Sequence, residues 1–263
     1  MQQAAGAAGE AERAMLELYH FEPAANSMKP LIALSEKGID FVSRQLNLEG
    51  RRWEQYSDWF LKINPDGQVP VLVHDGKVII ESTVINEYLE DVFPTVPLRP
   101  ADPYWCAQMR IWTKFVDEYL CPALTVIGAN FATPFAQKID KAEMNEILSR
   151  IPLDGPRRKW STVSGPGYSD EDLADARRKL KVTVDKAEAA LGQHEWLAGP
   201  TFSLADVNAY SMISGTERVS PNALNAEVSP HVHDWLRRME TRPGVKKALS
   251  YPSRMRPPPP PAA

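Results

Sequence analysis

Short apolar runs alternate with one amphipathic helix at the start of the chain. Apolar residues recur with strand spacing at Met15–Tyr19 and again at Phe41–Leu46, and a helical pattern at Met28–Gly38 lies between them. Gly38 is a typical residue for closing such a helix. Two strands separated by one helix form a βαβ unit, which is normally right-handed. The sequence therefore predicts a parallel strand pair covered by a helix.

A hairpin and a second helix follow this unit. Apolar runs at Val69–His74 and Lys77–Ile80 flank Asp75-Gly76, a strong short-range signal for a β-hairpin. Before them, residues 56–62 indicate one irregular helix, and Ser82–Phe93 carries the apolar spacing of a regular helix. The predicted order is β-α-β-α-β-β-α. This order predicts a thioredoxin-like α/β domain over residues 15–94.

The second half of the chain predicts helices only. Four prolines in residues 94–103 indicate a stiff linker, which we place at residues 95–103. Helical patterns then predict an all-helical bundle domain over residues 104–250, at residues 104–130, 142–150, 169–191, 203–214, 232–241 and 245–249. Ser203 and Asp206 form a capping box at the start of one helix. Residues 1–14 and the proline-rich residues 251–263 are predicted to be disordered tails.

Composition excludes several classes of protein. The chain has 263 residues, a net charge of −4 and a pI near 5.8, which argues against a nucleic-acid partner. No apolar run approaches the ~18 residues of a membrane span, so we expect no membrane partner. Cys106 and Cys121 fall in one predicted helix, where a disulfide between them is nearly excluded. No metal site is expected, and two reduced cysteines suit the cytoplasm.

The segment Asn64–Pro70 is the most informative part of the sequence. Pro70 stands at the start of a buried strand, where a proline cannot donate to the sheet, and a cis Val69–Pro70 bond is the best explanation. Such a bond turns the Val69 backbone groups outward, where they can pair with an extended peptide. Glu81 and Ser82 then offer partners for an α-amino group and an α-carboxylate. The predicted ligand is a small zwitterionic peptide, and glutathione is the obvious candidate.

From about Met15 to about Leu249 the chain resembles the glutathione transferases. The segments that carry this resemblance are NPDGQVPVL, ESTVINEYLE and FSLADV. The runs ANSMKPLIALSEKG and MRIWTKFVDEYLC narrow it to the glutathione-dependent β-aryl etherases of bacterial lignin breakdown. The chain departs from that group at residues 22–25, where a Gly-rich stretch is absent, and at residues 131–168.

The resemblance implies roles for particular residues. Asn26 and Ser27 would contact the glutathione sulfur at the start of the first helix, the alternative being that one of them is only an N-cap. Gln68 would reach the glycyl carboxylate or the peptide backbone, the alternative being a turn residue. Gln55 would contact the glycyl carboxylate, or would equally be a solvent-facing helix residue. The glutathione-binding set also includes Val69, Pro70, Glu81 and Ser82.

Trp112, Phe115 and Tyr119 form a helical stripe. Such a stripe is usually part of a core, but the same helix face lines the hydrophobic substrate pocket in the resembling enzymes. We therefore keep both interpretations for these three residues.

The function that the resemblance implies is ether cleavage. Glutathione thiolate would displace an aryloxide from the β-carbon of an α-keto β-aryl ether, with glutathione as a consumed co-substrate, an aromatic small molecule as substrate, and no metal. One alternative is a general transferase acting on halides or epoxides. Another is a binding or assembly module with this fold and little catalysis. By analogy with the fold, a homodimer is expected.

Overall fold

The computed structural model describes residues 15–48, 53–216 and 220–253. The tail predicted over residues 1–14 lies outside the described residues. So does most of the predicted second tail, residues 254–263.

The first domain has the predicted thioredoxin-like arrangement. Its elements are β1 (Leu16–His20), α1 (Ala25–Glu36), β2 (Val42–Gln45), α2 (Asp58–Leu61), β3 (Val71–His74), β4 (Lys77–Ile80) and α3 (Ser82–Val92). The four strands stand in the order β2-β1-β3-β4. Leu18 of β1 pairs with Ser43 of the parallel β2 on one side and with Leu72 of the antiparallel β3 on the other. Asp75 and Gly76 both have positive φ, as the tight turn between β3 and β4 requires.

The second domain is helical, as predicted. Its helices are α4 (Pro103–Phe115), α5 (Cys121–Ala136), α6 (Lys141–Arg150), α7 (Asp154–Ser164), α8 (Asp170–Leu191), α9 (Leu204–Ile213), α10 (Pro230–Thr241) and α11 (Pro243–Leu249). Ser203 caps α9, and the reciprocal contact of a capping box with Asp206 is present. Helix α7 was not predicted, because its sequence is polar and begins with Asp154-Gly155-Pro156.

The long helix predicted over residues 104–130 is divided by one wide turn. Val116–Leu120 is π-helical and separates α4 from α5. Pro122 follows it, and a proline has no N–H for the carbonyl four residues earlier and crowds that carbonyl. The helix widens at this point instead of breaking. Such π-turns are frequent at functional sites.

One large hydrophobic cluster contains residues of both domains. Leu31 of α1 belongs to the same buried cluster as Met109 of α4 and Trp235 of α10. Helix α1 also lies so close to α11 that a Cβ atom on Gly244 would come within 2.6 Å of the Glu36 backbone nitrogen. The first helix of the thioredoxin-like domain therefore packs closely against the helical domain.

The first half of the proline-rich linker is fixed to the first domain. The buried Lys37 ammonium donates to the carbonyl oxygens of Phe93 and Val96, and it is paired with Glu90 at 2.6 Å. Glu90 in turn accepts from the N–H of the buried Leu98. On the other side, the Leu204 N–H of the helical domain donates to the Leu98 carbonyl at 2.9 Å, so Leu98 contacts both domains.

Residues 251–253 belong to the folded structure, which corrects the predicted start of the second tail. Tyr251 stacks on Phe41 at 6.0 Å between ring centroids. Ser253 donates to a Glu22 carboxylate oxygen at 2.7 Å. Apolar contact and hydrogen bonding outweigh the local proline content here.

The helical stretch Pro103–Ala136 is long and apolar enough to cross a membrane by length and composition alone. No such stretch was expected from the sequence, and by this criterion that expectation was wrong. One helix of this kind is weak evidence for insertion, because the core helix of a soluble protein passes the same test.

Candidate active site

The first turn of α1 carries both predicted sulfur contacts. Ala24, whose side chain cannot cap, occupies the N-cap, and Asn26 and Ser27 lie inside the helix. The alternative that either residue is only an N-cap is therefore wrong. Ala25 adopts φ of 47°, a value that is uncommon for a residue with a side chain. Strained backbone of this kind is found preferentially at functional sites.

Ser27 and Asn26 are held by different neighbours. The Ser27 hydroxyl accepts a hydrogen bond from the Phe21 N–H at 3.1 Å, and the side chain is buried. A hydroxyl has one proton to donate besides the bonds it accepts, so Ser27 keeps a donor for an anion. The half-buried Asn26 amide reaches across the domain interface to Cys121 Sγ, 3.7 Å away.

The Val69–Pro70 peptide bond is cis, which confirms that prediction. The turn before it is closed by Asn64, whose amide donates to the Gln68 carbonyl at 2.8 Å. Within the part of the chain that the structure describes, the Val69 N–H and C=O take part in no backbone hydrogen bond. They are therefore available to an extended ligand.

The start of α3 repeats the unusual backbone seen at α1. Glu81 is the N-cap residue with φ of 67°, and its side chain is exposed. Ser82 follows at the first helical position and is buried. A helix N-terminus favours negative charge, so this end of α3 is suited to a carboxylate.

Gln55 and Gln68 lie near the side chain of Tyr56. Burial raises the pKa of Tyr56, and hydrogen bonding with the side chains of Gln55, Gln68 and Trp160 lowers it. Gln55 is buried, and its Oε1 has no hydrogen-bond partner in the described structure. The interpretation of Gln55 as a solvent-facing residue is therefore wrong.

The aromatic stripe packs against α8. Trp112 is buried, as the core interpretation holds, while Phe115 and Tyr119 are half-buried and stacked at 5.0 Å between centroids. The Lys186 ammonium lies 5.1 Å from the Trp112 ring and 5.4 Å from the Phe115 ring. Cys121, at the start of α5, contacts Asn26. The sequence had indicated only that Cys121 is a reduced core residue.

A polar network lies beneath the site, and no sequence pattern predicted it. The buried Lys29 of α1 pairs with Asp117 in the π-turn at 2.6 Å. Thr83 of α3 donates to the other Asp117 oxygen at 2.6 Å, and Asn208 of α9 donates to Thr83 at 3.0 Å. One carboxylate thus joins the two helices whose first turns carry the predicted ligand contacts.

The two cysteines are free, as expected. Among the described residues, no three His, Cys, Asp or Glu side chains come together as a metal site would require.

A cis-proline thioredoxin-like domain followed by a helical domain defines the transferases that use glutathione. The family model for the N-terminal domain of glutathione S-transferases matches residues 14–91, and the model for the C-terminal domain matches residues 155–243. The chain belongs to the glutathione S-transferase family.

One bacterial relative is much more similar to the chain than the plant transferases are. The chain is 43% identical to protein LigF of Sphingobium sp. over 88% of this chain and 92% of LigF. The crystal structure of the β-etherase LigF from Sphingobium sp. strain SYK-6 superposes with a TM-score of 0.84, at 42% identity, over 89% of this chain and 98% of that chain. Glutathione S-transferase U19 of Arabidopsis thaliana is 25% identical over 90% of this chain and 91% of its own.

Proposed function

We propose that the protein is a glutathione-dependent β-aryl etherase. The observation that carries this proposal is the 43% identity to LigF, sustained over nearly the whole length of both chains. The high TM-score with the β-etherase structure supports it. The substrate is an aryl ether ketone of the kind released from lignin, and glutathione is the co-substrate.

The thiol end of glutathione lies at the first turn of α1. A thiol of ordinary pKa is mostly protonated at neutral pH, and the thiolate is the nucleophile. Ser27 and Asn26 donate hydrogen bonds to the sulfur, and the helix N-terminus adds its oriented N–H groups. These groups favour the thiolate without placing a strong base beside it. The buried, hydrogen-bonded position of Ser27 supports this role.

The rest of the tripeptide lies along the cis-proline turn. The cysteinyl backbone pairs with the free N–H and C=O of Val69 beside Pro70. The γ-glutamyl end meets Glu81 and Ser82, whose carboxylate and hydroxyl suit an α-ammonium and an α-carboxylate. The glycyl end extends towards Gln55 and Gln68, which both lie near Tyr56.

The reaction is a displacement at carbon. The thiolate electron pair forms the new C–S bond at the β-carbon while the C–O bond breaks, and the aryloxide leaves with that bonding pair. The neighbouring ketone activates the carbon, and the aryloxide takes a proton from water to become a phenol. The protein contributes mainly by aligning sulfur and carbon, which is proximity catalysis.

The aromatic substrate lies near the α4–α5 helical stretch. Phe115 and Tyr119 are the candidates for lining its pocket, because their half-buried rings remain accessible. Trp112 belongs to the core and supports them from behind.

The test is incubation with glutathione and a racemic aryl ether ketone model compound, followed by chiral chromatography. We expect a phenol and a glutathione thioether in equal amounts, from one enantiomer. If no phenol appears while a chloro-dinitroarene is conjugated, the protein is a general transferase. If neither reacts and glutathione still binds, it is a binding module.

We also propose a homodimer in the cytoplasm. Val84 of α3 and Ile111 of α4 are each more than half exposed, at 55% and 53%, which suits a surface covered by a second copy. The two free cysteines suit a reducing compartment. Light scattering measures the molar mass and so tests the homodimer. Cell fractionation tests the location in the cytoplasm.

A further inference from the structure

The helical domain covers one edge of the candidate site through a small aromatic cluster. Trp53 and Tyr56 of the first domain are buried against Met144, Ile147 and Ile151 of the second. Trp160 of α7 completes this cluster, with its ring 4.4 Å from that of Trp53 in an edge-on arrangement. Trp160 packs against the cluster that contains Tyr56, and Tyr56 lies near Gln55 and Gln68. Helix α7 is therefore adjacent to the predicted glycyl end of the groove.

Lys159, next to Trp160, has no carboxylate partner among the residues that the structure describes. Its ammonium lies over the Trp160 ring, 5.0 Å from the centroid. It makes no hydrogen bond or ion pair with any residue that the structure describes, and burial lowers its pKa. Lys159 is half-buried, and an anionic ligand would offset the cost of partly desolvating its charge.

The residues already assigned to the glycyl end carry no charge. Gln55 and Gln68 are neutral amides, whereas a carboxylate is bound most strongly by a cationic donor. Gln55 Oε1 and Trp53 Nε1 are both buried without a partner in the described structure, so an acceptor and a donor are unused beside the cluster. A C-terminal glycine offers one N–H and one carboxylate.

We propose that Lys159 binds the glycyl carboxylate of glutathione, reaching from α7 across the domain interface to the end of the groove marked by Gln55 and Gln68. This inference rests on the proposed use of glutathione. It assigns part of the co-substrate site to the helical domain. It also accounts for the unpaired ammonium beside a groove whose own side chains are neutral.

The test compares two ligands on the full chain by isothermal titration calorimetry. Glutathione carries the glycine, and γ-glutamylcysteine lacks it. In the Lys159→Met variant we expect the Kd for glutathione to rise about tenfold or more, the loss expected for a contact to a charged group. The Kd for γ-glutamylcysteine should stay unchanged. Lys159→Arg should retain most of the preference for glutathione.

The matched control is Arg158→Met, which removes the same charge from the neighbouring position of α7. It should leave both affinities unchanged. The inference is overturned if Lys159→Met binds glutathione as the wild type does, or if it weakens both ligands equally. Wild-type protein that binds neither ligand would refute this inference together with the proposed function. Binding without ether cleavage would refute the etherase proposal alone.

Discussion

The Lys29 ammonium lies 2.6 Å from a carboxylate oxygen of Asp117, although the two residues, in α1 and in the π-turn, are 88 positions apart in sequence. Lys29 is fully buried, so Asp117 is the group that neutralises its charge. Thr83 occupies the second carboxylate oxygen. The ion pair therefore fixes α1, α3 and the π-turn relative to one another.

Removing Asp117 should destabilise the protein. Asp117→Ala leaves the Lys29 ammonium buried without a counter-charge, and we expect the free energy of unfolding to fall by about 3 kcal/mol. Urea denaturation measures this change. The control is Glu118→Ala, which removes the neighbouring carboxylate from an exposed pair with Lys114 and should cost less than ~1 kcal/mol. Equal losses in the two variants would contradict the structural role of the buried pair.

Loss of the proposed contacts of Ser27 or Asn26 with the glutathione sulfur should raise the pKa of the bound thiol. In Ser27→Ala and in Asn26→Ala, the lost hydrogen bond to the thiolate is equivalent to about 1.5–3 kcal/mol, or roughly one to two pKa units. Activity at neutral pH should fall and recover as the pH rises. Ultraviolet absorption of the thiolate follows the titration. Ser35→Ala, on the same helix and without a partner in the described structure, should leave this pKa unchanged. An unchanged pKa in both site variants would assign the effect to the helix N-terminus alone.

Gly67 should not tolerate a side chain. Its φ is +63°, and a Cβ atom would lie 2.8 Å from Cδ1 of Tyr56. Gly67→Ala therefore combines backbone strain with displacement of the Tyr56 ring, which lies near Gln55 and Gln68. We expect the free energy of unfolding to fall by more than ~1 kcal/mol and glutathione binding to weaken. Thermal unfolding and calorimetry measure the two effects.

Gly76 provides the comparison for this prediction. It has a φ of +76°, but a Cβ atom at this position would have no other atom within 4 Å, so Gly76→Ala changes only the backbone energy. Glutathione affinity should stay at the wild-type value in this variant. A weaker affinity in Gly76→Ala as large as that in Gly67→Ala would rule out the contact with Tyr56 as the cause.

The buried Asp206 should make stability depend on pH. Burial raises its pKa from 3.8 to about 6, despite the hydrogen bonds that it accepts. The folded protein therefore holds this proton more tightly than the unfolded chain does. The stabilisation is present below pH ~4 and is lost as the pH rises through about 6, by up to roughly 3 kcal/mol.

Urea denaturation of the wild type and of Asp206→Asn at pH 4 and pH 6.5 tests this sign. The variant is less stable at both values, because an asparagine side chain cannot accept all the bonds of the capping box. The difference in the free energy of unfolding between the wild type and the variant should be smaller at pH 6.5 than at pH 4. A difference that grows with pH would show that hydrogen bonding affects the pKa of Asp206 more than burial does.

Local sequence signals were sufficient for most of the first domain. The positive φ angles of the hairpin turn suit Asp75-Gly76, so the hairpin was predictable. The cis bond was predictable because proline is the residue that commonly forms one. The capping box of Ser203 and Asp206 was predictable for the same reason. That Asp206 also accepts from Leu197 N–H and Trp235 Nε1 depends on tertiary packing, and no spacing rule contains it.

The unpredicted parts of the site all lie between distant segments. Lys29 and Asp117 each look like ordinary surface residues in sequence, and Trp160 meets Trp53 only because α6 and α7 fold over the first domain. The π-helical segment Val116–Leu120 shifts the helical period, so the residues that face α1 differ from those that a regular helix would present. A uniform helical period places the Trp112, Phe115 and Tyr119 stripe on one face, but it does not show that Cys121 is the residue in contact with Asn26.

The short segment Tyr251–Ser253 has a practical consequence for anyone producing this protein. Pro252 accepts a hydrogen bond from the edge strand through Gln45, and Ser253 bonds to Glu22 in the loop that leads into α1. Substitution or removal of Tyr251–Ser253 would therefore take away contacts to the loop that leads into α1. Kinetic measurements are better made on protein in which these three residues are intact.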